Sequence, residues 1–175
     1  MGGQRWILNE LSNFKNVTKV VELGSGDGEL CNRIKKSLPD CEVAALDIVP
    51  RPDSVNDDVE WISKNVLDFN DYGSECIVVA NLFIHHLQDD ELALLGDMLN
   101  GVRGILFAEP YRGKVALSMS KVMMPFVNHV TKHDMPVSIR AGFYKEEISE
   151  LLGSHLVWEE YYSLFGGIRM KGLRR

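Results

Sequence analysis

Three glycines at alternate positions, Gly24, Gly26 and Gly28, follow an acid, Glu22, at the end of the apolar run Val17 to Leu23. Glycine at a turn permits positive φ and lets backbone come close to a ligand. The next segment, Glu29 to Leu38, reads as a helix, whose start offers unpaired N–H groups and a partial positive charge. Strand, tight turn and helix in this order make a cradle for an anionic or polar cofactor. Asp47 follows Glu22 by 25 residues and closes a second apolar run, Glu42 to Ile48. In an open α/β sheet an acid there sits where ligands bind and can accept hydrogen bonds from both hydroxyls of a ribose. Further along, His85-His86, Glu109 and His133-Asp134 are groups that can hold or move a proton.

Spacing narrows the choice of cofactor. The dinucleotide fingerprint needs glycines at positions one, three and six, and the sixth position from Gly24 is Glu29. Asp47 by itself would serve NAD equally well.

The elements that must position these residues are legible in the periodicity. Gln4 to Phe14 has helical spacing of Trp6, Ile7, Leu11 and Phe14 and is expected beside the first strand. Asn65 to Phe69 is expected to end a short third strand, and Cys76 to Ala80 to be a buried fourth. Gln88 to Leu99 repeats leucine at helical spacing, with acids in its first turn. Gly104 to Pro110 is a fifth strand, which would aim Glu109 at the same cleft. Arg112 to Val130 is long, apolar and rich in methionine, Pro125 interrupts it, and a polar loop to Arg140 follows. A helix from Tyr144 to Leu152 and two strand-like runs, Leu156 to Phe165 and Ile168 to Leu173, close the chain, with Gly166-Gly167 as a hairpin signal.

Composition agrees with one domain spanning residues 1–175: 45% apolar, 25% charged. A net charge of −6 argues against a general grip on nucleic acid, and the cations near the C-terminus read as a solvated last strand. Cys31, Cys41 and Cys76 lack metal-ligand spacing and read as reduced thiols of a cytoplasmic protein, with no metal. No run is long enough to span a bilayer, and the N-terminus reads without a secretory h-region, since charged and polar residues interrupt its apolar ones.

The motif Glu22-x-Gly24-x-Gly26-x-Gly28, the run Asn81-Leu82-Phe83-Ile84-His85-His86-Leu87 after the fourth strand, and the closing hairpin together resemble the class I S-adenosylmethionine-dependent methyltransferases, from Val17 to Leu173. The resemblance implies an α/β three-layer sandwich with a mostly parallel seven-stranded sheet and a C-terminal antiparallel hairpin. It also implies S-adenosyl-L-methionine as cofactor. Glu22, Gly24, Ser25, Gly26 and Gly28 would form its cradle, and Asp47 would take the ribose, with Ile48 beside it. Asp68 would hold the adenine amino group, the Phe69 backbone would add an N–H, and Asn81 would lie by the methionine portion.

The implied reaction is in-line attack on the sulfonium methyl by an oxygen or nitrogen of a small, partly apolar acceptor. His86 is the first candidate base, followed by His85 and Glu109. Residues 112–140 would be an insertion supplying the substrate walls. The protein would be a monomer or homodimer without nucleic-acid partners. A methyltransferase-like protein without catalysis and an NAD-dependent oxidoreductase are the alternatives.

Overall fold

The computed structural model of the chain describes residues 2–112, 142–153, 155–163 and 167–174. The Met-rich segment, Pro125, His129, His133, Asp134 and Gly166 lie outside the described residues, as does the rest of the expected insertion after Arg112. In chain order the elements are α1 (Gly3–Asn13), β1 (Lys19–Leu23), α2 (Glu29–Ser37), β2 (Glu42–Asp47), β3 (Glu60–Ser63), β4 (Cys76–Asn81), α3 (Asp89–Met98), β5 (Gly104–Pro110), α4 (Glu147–Leu152), β6 (Leu156–Tyr162) and β7 (Gly167–Arg174).

The strands form one seven-stranded sheet in the order β3-β2-β1-β4-β5-β7-β6. From β3 to β5 all pairs are parallel, and β7 runs antiparallel to both β5 and β6. The sheet reverses its order between β1 and β4, which places a ligand crevice above the ends of those two strands.

Alternation along the strands divides the core into two layers. Val21, Leu23, Val78, Ala80, Ile105 and Phe107 face α3 and α4, together with Leu92, Leu95, Ile148 and Leu152. Val20, Val43, Ile77, Val79, Leu106 and Ala108 face the other way, onto Ile7 and Leu11 of α1 and onto Leu30 and Ile34 of α2. Helices therefore cover both faces of a sheet whose central strands are apolar on both sides, as parallel strands require. Glu91 accepts a hydrogen bond from the Gln88 N–H at 2.8 Å and starts α3. Among the described residues no helix is long and apolar enough to cross a membrane, and the three cysteines are free and buried.

Four expectations change. Helix α1 lies mainly across β5 and β4 rather than beside β1, because Gly3 lets it settle onto Asn81 and Ala108. The third strand ends at Ser63, and Val66–Asp68 is a single 3₁₀ turn. The helix expected from Tyr144 begins at Glu147, after Glu146 takes a left-handed φ of 65°. Gly167 is the first residue of β7, paired with Pro110, and is not half of a two-residue turn. The Ser163 N–H donates to its carbonyl at 2.7 Å. The terminal cations are partly engaged: Lys171 pairs with Glu10 at 3.0 Å and Arg174 with Glu75 at 3.6 Å.

Candidate active site

Strand β1 delivers Glu22 and then the glycine turn. The Gly24 N–H donates to the Leu46 carbonyl at 2.8 Å, which ties the turn to β2, and Gly28 is the N-cap of α2. Two of these glycines are required for different reasons. Gly24 (φ 65°) is covered by the Phe83 ring, which any Cβ would strike. Gly26 (φ 54°) faces open space, with nothing within 4 Å of where a side chain would begin. Ser25 is buried, and its Oγ donates to the Glu22 carbonyl at 3.2 Å.

Asp47, the last residue of β2, reaches across to this turn. Its Oδ2 accepts from the Gly26 N–H at 2.8 Å, and its Oδ1 accepts from the Val49 N–H at 3.1 Å. Each oxygen keeps a further lone pair, because a carboxylate offers about four acceptor sites. Beside it Ile48 is 75% exposed, an apolar platform at the mouth of the crevice. Behind the turn, Glu22 is 3% exposed and its Oε2 has no hydrogen-bond partner among the described residues. Burial pushes its carboxyl up to about 8, against the opposing pull of the Cys31 backbone N–H.

The β4–β5 side is built differently. Asn81 ends β4, and Leu82 follows in a left-handed conformation (φ 58°), unusual for a branched apolar residue, with its side chain 56% exposed. A 3₁₀ turn, Ile84–His86, comes next. This turn hangs on Glu109. The Oε1 of Glu109 accepts from the Phe83 N–H at 2.9 Å and the Ile84 N–H at 3.1 Å, and Oε2 meets His85 Nδ1 at 2.7 Å. The Glu109 side chain is fully buried and that of His85 only 4% exposed. Glu109 therefore faces the loop and not the cleft, contrary to the expectation from sequence. His86 is exposed and lies on His85 with ring centroids 4.1 Å apart. Burial and the neighbouring His85 lower its pKa.

No protein-family model matches the chain. A release factor glutamine methyltransferase of Flavobacterium psychrophilum is 29% identical over 100 residues, covering 50% of this chain and 35% of that protein. The match thus spans about a third of the relative's length. Two solved structures superpose over 99% of this chain. The plantazolicin methyltransferase BpumL, in complex with a desmethylPZN analogue and SAH, gives a TM-score of 0.75 at 12% identity over 82% of its own length. Human N-acetylserotonin methyltransferase in complex with SAM gives 0.67 at 13% identity over 52% of its length. The chain has the class I methyltransferase fold.

In an open α/β sheet ligands bind outside the carboxyl ends of the strands, and most of the expected residues stand along that edge. Gly24, Ser25, Gly26, Asp47 and Ile48 converge at the ends of β1 and β2, and Asn81 stands at the end of β4. Asp68 is exposed at the end of its 3₁₀ turn, whose cap is Asn65, the acceptor from the Leu67 N–H at 3.0 Å. Phe69 is buried edge-on against Tyr72, with centroids 4.9 Å apart. Phe83 carries a role the sequence reading did not assign: its ring clamps the β4 loop onto the glycine turn. Its position between Asn81 and the histidine pair was the available signal.

Proposed function

We propose that this protein is an S-adenosyl-L-methionine-dependent methyltransferase acting on a small molecule through an oxygen or nitrogen nucleophile. The observation that carries the reading is the open face of Gly26 beside the Asp47 carboxylate and the bare Ile48 side chain. That trio fits an adenosyl group: backbone approach at the turn, acceptors for ribose hydroxyls, and an apolar surface for a base. Glu22, Gly24, Ser25 and Gly28 shape the turn, Asp68 and the Phe69 backbone lie on the adenine side, and Asn81 lies on the methionine side.

When bound, the cofactor supplies a methyl group on a sulfonium, already a strong electrophile. The chain's own task is to hold the acceptor in line, which can supply roughly 7–11 kcal/mol, and to take its proton, worth roughly 10²–10⁴-fold. His85 is the residue prepared for the second task. Glu109 takes the hydrogen bond at Nδ1, so the neutral ring carries its lone pair on Nε2. Nε2 would accept the proton of the acceptor's O–H or N–H as that atom attacks. Glu109 is the positioning residue, His86 packs on the base, and Arg112 borders the acceptor. This arrangement reverses the order of the two histidines expected from sequence. We also take the protein to be cytoplasmic, on its three free thiols.

Titration calorimetry with S-adenosylmethionine and S-adenosylhomocysteine, followed by turnover against a panel of phenols, alcohols and amines, tests the reading. Micromolar binding of both and methylation of a panel member are expected; absence of binding ends it. His85→Gln should then slow turnover roughly 10²–10⁴-fold with cofactor affinity kept.

A further inference from the structure

Beyond the β5 carboxyl end the chain makes one more ordered contact. Tyr111 bridges to Phe143 in parallel, the Arg112 N–H donates to the Phe143 carbonyl at 2.8 Å, and the Phe143 N–H donates to the Pro110 carbonyl at 3.0 Å. Tyr111 and Phe143 pack on the α3–α4 core layer. By strand alternation the residues after them, Arg112 and Tyr144, turn the other way. The Arg112 Nε donates to the Gly142 carbonyl at 2.7 Å, and its guanidinium lies over the Tyr144 ring, 5.0 Å from the centroid.

The Arg112 backbone and side chain are thus both held in place, and the residue is half-buried. No carboxylate among the described residues lies in ion-pair range of it. Of the other half-buried arginines, Arg103 donates to two backbone carbonyls, at 2.9 and 2.6 Å, Arg33 meets Gln4 at 2.7 Å and Glu29 at 3.7 Å, and Arg169 lies against Gly2. Arg112 spends one donor on Gly142, while its fork, suited to two-point contact with an oxyanion, has no acid to meet among the described residues. Its place is three residues past Glu109, at the edge where the acceptor must enter.

Resting on the methyltransferase reading, we propose that Arg112 is an acceptor-recognition residue and that the methyl acceptor carries an oxyanion, a carboxylate or a phosphate ester, set apart from the atom that is methylated. Tyr144 lies under the guanidinium, 5.0 Å from ring centroid to its carbon, and offers a half-exposed ring beside it.

The test is ligand-observed NMR on the full chain, with and without S-adenosylhomocysteine. The probes are benzoate and phenyl phosphate against benzamide and benzyl alcohol, with wild type, Arg112→Gln and Arg112→Lys. The wild type should bind at least one anion about tenfold more tightly than its neutral counterpart. Arg112→Gln should abolish that preference, and Arg112→Lys should keep part of it, which separates lost recognition from lost folding. If wild type shows no preference for either anion, or Arg112→Gln keeps it, the proposal is wrong. Which anion is preferred distinguishes carboxylate from phosphate. S-adenosylhomocysteine binding is read in the same samples, so failure of the methyltransferase reading is seen separately.

Discussion

At the β1–β2 end of the carboxyl edge the chemistry looks outward. Gly26 opens on empty space, Ile48 stands bare, and Asp47 keeps lone pairs beyond the two N–H groups that it accepts. At the β4–β5 end it looks inward. Glu109 is sealed off, and its two oxygens are filled by Phe83, Ile84 and His85. A surface left incomplete is one that a ligand finishes. A buried carboxylate with three donors is one that the protein needs fixed whether or not a ligand is present. The contrast separates groups left open at the surface from groups already fixed by their neighbours.

Substitutions can break this contrast in turn. Glu109→Ala should have the largest effect, because it strands three buried donors: a loss of about 3–5 kcal/mol in chemical denaturation is expected. If stability fell by less than about 1 kcal/mol, the inward half of the comparison would fail. Gly26→Val meets no neighbour but forces a β-branched residue to a φ of 54°, which should cost about 1–3 kcal/mol in chemical denaturation, and it should weaken S-adenosylhomocysteine binding about 100-fold, some 2.7 kcal/mol. Calorimetry on the purified variant would show it, and an unchanged Kd would mean that no ligand lies against this turn. Asp47→Ala should cost the same ligand about 1.5–3 kcal/mol, the range for hydrogen bonds to a charged group, with a smaller loss in unfolding free energy from the freed Gly26 N–H.

A finer prediction concerns pH. The Glu22 carboxyl rises from 4.5 in the unfolded chain to about 8 in the folded one. Between those values the unfolded state ionises and the folded state does not, so stability is lost as pH rises through that window. Glu22→Gln should remove this slope. The melting temperature of the wild type should fall relative to the variant between pH 5 and 8.5, by about 2–4 °C for each kcal/mol involved. Parallel curves would mean that the acid is not desolvated. The smallest effect belongs to His86→Ala, which should change turnover by less than about threefold, since its ring leans on His85, the proposed base, without a bond to Glu109.

The sheet could be read from sequence because its evidence is local and repeated. Val20-Val21, Val43 to Leu46 and Ile77 to Ala80 are apolar on both faces and each stops at a polar or glycine-rich turn. Asp47 could be placed for the same reason, since its position at a strand end follows from where the apolar run stops. What sequence could not supply was the direction of side chains fixed by distant partners. Glu109 sits at a strand end just as Asp47 does, yet alternation turns it into the α3–α4 layer, where the Phe83 and Ile84 N–H groups and the His85 ring, about 25 residues earlier in the chain, meet it. The order of the two histidines depends on that same contact. The seat of α1 depends on Gly3 meeting Asn81, which no helical periodicity encodes.

That seat has a practical side. With Gly3 lodged against Asn81 and Ala108, whatever is joined ahead of Gly2 emerges near Arg169, at the rim through which an acceptor would come. Strand β7 runs the other way, and Leu173 leaves the sheet opposite Gly104, at its far margin. A tag, label or fused partner on the trailing end would lie away from that proposed entrance, while the same cargo on the leading end would stand beside it.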